Sequence, residues 1–136
     1  MTGYELFLPE DIPAWQAPFW ESLKAHDVRV QRCDACGVHR YVPKEICPSC
    51  QATAATWAPV SGDGHIYTYS VVRRGPTKAY QATAPYVIAH VTMAEGFRMV
   101  GGLLDVDPEK VAIGDPVRVR YVDATDDWTL LAFGPA

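Results

Sequence analysis

The sequence predicts a mainly β chain: an N-terminal helix, a cysteine-bound ribbon, then a five-stranded, OB-like barrel. Three observations predict it. Two Cys-x-x-Cys pairs fall within residues 33–50, the spacing of a ribbon that folds around one ion. Beyond Val60 the chain becomes a series of Val-, Ile-, Thr- and Tyr-rich runs, broken at short intervals by Gly, Pro and Asp turns. Near Pro18, a helix-start residue precedes apolar residues at helical spacing.

Composition sets the bounds. The 136 residues are 49% hydrophobic and 21% charged, enough to bury a core of ordinary size. The net charge of −4 is spread evenly: residues 1–60 hold 5 Lys/Arg against 7 Asp/Glu, and residues 61–136 hold 7 against 9. Neither half is basic, which argues against nucleic acid as the main partner. No run approaches the roughly 18–20 apolar residues of a membrane span. Met1 to Trp20 lacks a basic start followed by an apolar stretch, so no secretory signal is expected. These features predict a cytoplasmic protein. In that compartment thiols stay reduced, and four cysteines read as metal ligands rather than two disulfides.

The elements follow in order. Pro9, Pro13 and Pro18 make residues 9–18 an extended arm. A helix over about 18–26 places Phe19, Trp20 and Leu23 on one face. Such a face needs a surface to dock on, either this chain's own core or a partner. Val28 to Arg32 alternates as a strand into Cys33, and Val38 to Val42 returns to a break at Pro43. Barrel strands are expected over Ile66–Arg73, Tyr86–Met93, Phe97–Val106, Pro116–Val122 and Trp128–Phe133. Asp107 to Lys110 forms a single helical turn between the third and fourth, and Gly75 to Pro85 is the longest loop. Gly101-Gly102, inside a strand, marks a bulge or the close approach of another backbone. The division is therefore arm and helix (1–27), ribbon (28–60) and barrel (61–136).

Cys33 and Cys36 form one knuckle, ten residues intervene, and Cys47 and Cys50 form the other. A two-residue gap lets both thiolates of a knuckle face one ion, and four complete a tetrahedron with no open position. Gly37 stands where a knuckle favours positive φ, and Gln51 takes the equivalent place in the second. Iron accepts the same ligands, but the short gap and the lack of a redox-partner motif favour a structural zinc. Other chemistry is thin. His26, His39, His65 and His90 stand in no legible triad, and there is no nucleophile elbow. His65 and His90 are better read as strand-surface or core residues, and His39 as bystander to a complete cysteine set. Arg73, Arg74 and Lys78 flank the long loop and either meet an anionic ligand, such as coenzyme A phosphates, or are simply solvated. Tyr67, Tyr69, Tyr80 and Tyr86 near the same loop either stack on a base or pack.

Taken together, several segments resemble a bacterial and archaeal family of unknown function, number thirty-five of its series. They are Ala17-Pro18-Phe19-Trp20-Glu21-Ser22-Leu23, Gln31-Arg32-Cys33-Asp34-Ala35-Cys36-Gly37, Ile46-Cys47-Pro48-Ser49-Cys50, Trp57, Ser61-Gly62-Asp63-Gly64, Pro85-Tyr86-Val87-Ile88-Ala89 and Ile113-Gly114-Asp115-Pro116-Val117. The resemblance implies a rubredoxin-like zinc ribbon followed by an OB-fold. It also implies a role beside thiolase-like enzymes: in archaeal acetoacetyl-CoA and hydroxymethylglutaryl-CoA synthesis, in phloroglucinol acylation, or in steroid side-chain cleavage by a thiolase-like aldolase. In each case the catalytic residues belong to the partner, matching the absence of a catalytic set here. A non-catalytic subunit in a two-plus-two heterotetramer is the resulting expectation, with Phe19, Trp20 and Leu23 as partner contacts. The alternative is a single-stranded nucleic-acid-binding ribbon and barrel, since both folds have that use.

Overall fold

The computed structural model describes residues 8–136, so the first seven residues of the expected arm lie outside the described residues. Residues 8–13 form neither helix nor strand and bend at Asp11, a 3-10 turn follows at Ala14–Gln16, and the last two residues of the expected arm, Ala17 and Pro18, are helical. Helix α1 (Ala17–Lys24) starts with proline in its first turn and stops two residues before the expected end. His26 takes the left-handed conformation, φ 55°, which a continuing helix cannot use. Its amide and that of Asp27 bond back to Leu23 and Ser22.

The ribbon sheet has the order β2-β1-β3, with β1 (Arg29–Cys33) central. Strand β2 (His39–Arg40) is only two residues long, against an expected five, and the chain leaves the ladder before Pro43. Strand β3 (Ala55–Pro59) was not expected. It pairs with β1 from Cys33↔Ala55 to Arg29↔Pro59.

Five strands then close a barrel in the order β4-β5-β6-β8-β7. They are β4 (Asp63–Val72), β5 (Tyr86–Met93), β6 (Arg98–Leu103), β7 (Pro116–Asp123) and β8 (Thr129–Pro135). All neighbours are antiparallel except β6 and β8. This is the expected OB-fold. Strand β4 is long enough to pair with both β5 and β7, and it bends at an irregularity between Ile66 and Thr68. Strand β6 ends earlier than expected because Asp105 sits at φ 57°, outside the extended region. Asp107 to Lys110 forms a turn closed by the Lys110 N–H on the Asp107 carbonyl, 2.9 Å. Inside the long loop a short helix, α2 (Lys78–Thr83), is capped by the Thr77 hydroxyl, which accepts from the Tyr80 amide.

One apolar cluster runs through all three parts. It joins Phe19 and Leu23 of α1, Val28 and Val30 of the ribbon, and Ile66, Val87, Val91, Met99 and Phe133 of the barrel. Phe133 is fully buried, and its ring lies 3.1 Å from where a Cβ on Gly101 would stand. The close approach at Gly101 is therefore made first by a side chain, the Phe133 ring, and next by backbone, the Leu131 carbonyl at 3.3 Å. Ribbon and barrel are also tied by polar contacts: the Val28 N–H donates to the Tyr121 hydroxyl at 2.9 Å, and the Tyr41 hydroxyl to the Val100 carbonyl at 3.4 Å. His39 stacks on Phe97 with ring centres 4.7 Å apart.

Candidate metal centre

The two knuckles have the same local build. In each, the first cysteine's amide bonds to the carbonyl five residues on, Cys33 to Val38 and Cys47 to Ala52, both at 2.9 Å. Its carbonyl receives the amide four residues on, from Gly37 at 2.9 Å and from Gln51 at 3.0 Å. Those two residues make the sharp turn, with φ of 79° and 67°. Glycine reaches that region freely; glutamine occupies it against the clash of its Cβ.

These turns bring four sulfurs together. All four Sγ atoms lie within 4.8 Å of one another. Cys33 and Cys50 are 3.5 Å apart, and Cys36 and Cys47 are 3.6 Å apart. A regular tetrahedron of thiolates at a zinc–sulfur distance of about 2.3 Å has edges of about 3.8 Å, so the cage is the right size for a tetrahedral ion. Cys33 and Cys47 are buried, while Cys36 and Cys50 are exposed. The Ser49 amide points at the Cys47 sulfur from 3.4 Å.

The electrostatics favour a cation in this cage. The Cys36 amide, with smaller help from the Ala35 amide, the Cys50 thiol and the Arg40 guanidinium, brings Cys33 down to about 6. Amides of the second knuckle, that of Cys50 first, lower Cys47 likewise. Cys36 goes the other way, up to about 11: the Val38 amide favours its thiolate, but desolvation and the three neighbouring sulfurs together outweigh it. Without a cation, four sulfurs this close disfavour one another's thiolate forms. A bound metal ion removes that conflict, and the donor set fits a structural metal with no vacant coordination position.

The other singled-out residues are spread apart. Phe19 and Leu23 are buried in the chain's own core, so they are not free for a partner; Trp20 is half-buried against Phe19 and Trp128. Arg73 is engaged by Glu109 at 2.8 Å, while Arg74 and Lys78 are exposed beside α2. His65 and His90 are exposed on β4 and β5. His39, stacked on Phe97, is no part of the sulfur cage, and burial lowers its pKa. His26 bonds to Asp123 at 2.9 Å and stacks on Tyr121, an exposed latch between the end of α1 and β7. Of the tyrosines, Tyr67 lies under the Arg98 guanidinium, Tyr69 packs on the core, and Tyr80 leans on Tyr86. Arg40 escaped the sequence reading. A lone arginine in a short polar strand gives no sign that it will be buried. No helix among the described residues is long and apolar enough to cross a membrane.

A four-cysteine ribbon packed on an OB barrel defines the class of protein. Family models described as the ChsH2 rubredoxin-like zinc ribbon domain and the ChsH2 C-terminal OB-fold domain match residues 20–54 and 57–122. A DUF35 domain-containing scaffold protein of Methanocaldococcus jannaschii is 40% identical over 97 residues, 71% of this chain and 68% of that protein. The chain belongs to the DUF35 family. The 3-oxo-4,17-pregnadiene-20-carboxyl-CoA hydratase alpha subunit of Mycobacterium tuberculosis is 40% identical over 117 residues, 86% of this chain and 36% of that protein. The chain thus spans little more than a third of the hydratase subunits it matches. Among solved structures, a chain of the Ltp2-ChsH2(DUF35) aldolase superposes with a TM-score of 0.83 at 33% identity, covering 93% of this chain and 98% of that one.

Two outcomes are expected. Cys33→Ser or Cys47→Ser should abolish metal binding, read by elemental analysis, and cost more than about 4 kcal/mol in denaturant unfolding; wild-type melting in both would remove the structural role of the cage. Gln51→Gly should stabilise the metal-loaded protein by roughly 0.5–1 kcal/mol, because relief of the left-handed strain exceeds the added chain entropy. A lower melting temperature would mean that the Gln51 side chain makes a contact worth more than that strain.

Proposed function

We propose that this chain is a non-catalytic accessory subunit that binds and stabilises a thiolase-like enzyme acting on acyl-CoA. The observation that carries this reading is the match, over almost the whole of both chains, to a component of a two-protein aldolase. The relatives named as scaffold proteins support it. So does the site itself. The four-sulfur cage is closed, and among the described residues the one histidine bonded to a carboxylate is the exposed His26 latch. Neither arrangement can run acid–base or nucleophilic chemistry on a substrate.

In this reading the partner performs carbon–carbon cleavage, its reverse, or acyl transfer, with steroid side-chain aldol cleavage as one case. The assembly is a heterotetramer of two copies of each chain, in the cytoplasm. Zinc, rather than iron, fills the cage. The arm and helix (1–27), ribbon (28–60) and barrel (61–136) act as one scaffold. Because Arg73 is neutralised by Glu109, Arg74 and Lys78 are left as the cations available to coenzyme A phosphates at the entrance.

Affinity purification of the tagged chain from its own cells tests the core of this. A thiolase-like protein at equal stoichiometry is the expected companion; a lone chain, or one carrying nucleic acid, would refute the accessory role. With the complex in hand, Arg74→Glu combined with Lys78→Glu should raise KM for acyl-CoA roughly tenfold or more at unchanged kcat, the loss of charge-assisted contacts to phosphate. An unchanged KM would remove this loop from the coenzyme A site.

A further inference from the structure

Arg40 heads the fully buried side chains by volume, with 1% of its surface exposed. Its guanidinium donates to four backbone carbonyls. Nη1 reaches Lys44 at 3.3 Å and Thr53 at 3.2 Å; Nη2 reaches Ala52 at 2.9 Å and Ala54 at 3.3 Å. These acceptors bracket the second knuckle, Lys44 before Cys47 and residues 52–54 after Cys50. Between β2 and β3 that knuckle belongs to no strand. Arg40 and the Gln31 carboxamide, which accepts the Lys44 amide at 2.7 Å, hold it to the β1–β2 hairpin of the first knuckle.

The buried Nε of Arg40 has no hydrogen-bond partner among the described residues. A buried cation supported only by neutral carbonyls is costly unless negative charge lies nearby. Four thiolates around a divalent ion carry a net charge of −2, and two of them, Cys47 and Cys50, stand on the segment that Arg40 holds at both ends. We propose that Arg40 is a positioning residue for the metal: it clamps both ends of the second knuckle in ion-binding geometry, and its buried charge offsets the surplus negative charge of the loaded cage. The inference rests on the reading of the four cysteines as a metal site. It predicts that Arg40 contributes mainly when the ion is present.

The test uses the full chain with cobalt(II) and zinc(II) as probes, comparing wild type, Arg40→Met and Arg40→Lys. Cobalt–thiolate absorption reports the cage, and competition with a chelator gives affinity. Melting with and without metal separates a role in the cage from a role in the fold. Affinity should fall about 10–100-fold, the usual effect of losing an outer-shell partner. Arg40→Met should lose more than Arg40→Lys, which keeps the charge but not the fork. The metal-loaded variants should melt lower than wild type, while the metal-free proteins melt alike. Affinity within about twofold of wild type in Arg40→Met overturns the inference, as does an equal drop in melting temperature with and without metal. If Arg40→Met does not fold, Arg40→Lys carries the same comparison. Wild type lacking cobalt–thiolate bands would sink the metal reading itself; wild-type bands with unchanged affinity in the variants would sink only the role of Arg40.

Discussion

The convergence of four sulfurs is the constraint on which the distal half of the ribbon depends. Segments of a few tens of residues cannot bury enough apolar surface to hold a fold alone. Between residues 33 and 54 the buried residues are Cys33, Arg40, Pro43 and Cys47. There is no hydrophobic cluster there for the knuckles to collapse onto; Val42 and Ile46 face solvent at 51% and 54% exposure. The interior of this end is ionic, built from thiolates, a guanidinium and carbonyl dipoles, and it needs a metal ion as its centre.

The proximal half is anchored differently. Val28 and Val30 belong to the same apolar cluster as the barrel strands, and α1 packs against both β1 and β8. The Ser22 hydroxyl, bonded to the Phe19 carbonyl at 2.6 Å, also receives the Arg29 amide at 3.0 Å, so helix and ribbon are joined just where the chain turns between them. This explains why Phe19 and Leu23 are consumed by the chain's own core. The helix is the wedge that fixes the ribbon to the barrel, and the apolar surface still exposed lies elsewhere, on the ribbon tip, on the outer barrel face at Tyr67, Ile88 and Val100, and between β6 and β7 at Leu104 and Ile113.

What could be read from sequence divides along the same physical line. The cysteine spacing encodes its own geometry, because two residues between thiolates leave few ways to face one ion, and the four sulfurs do converge. The barrel strands were legible because β-branched and aromatic runs alternate between clear turn residues; the Glu95-Gly96 turn closes β5 onto β6 with Gly96 at φ 94°. Strand β3 was not legible. Ala55, Ala58 and Pro59 have weak strand preference and outnumber Thr56 and Trp57, and the segment is extended because it pairs with β1 along its whole length. Helix α2 lay inside the segment read as the longest loop, because six residues are too few to show a period. The burial of Arg40 follows from backbone carbonyls that no side-chain pattern records.

Charge placement bears most directly on what the molecule can be for. An OB barrel that stacks single-stranded nucleic acid needs unpaired cations beside open aromatic faces. Here Arg29, Arg73, Arg118 and Arg120 each meet a carboxylate of this chain, at 2.8–3.1 Å. Arg40 is buried, and Arg98 lies 3.7 Å above the Tyr67 ring, covering the aromatic surface a base would use. Six of the twelve Lys and Arg are engaged in this way; the others, Arg74 and Lys78 among them, are exposed on a chain of net charge −4, short of the basic face that a polyanion needs. Together with the closed four-cysteine cage, this charge placement supports the proposed reading of the chain as an accessory subunit over the nucleic-acid alternative.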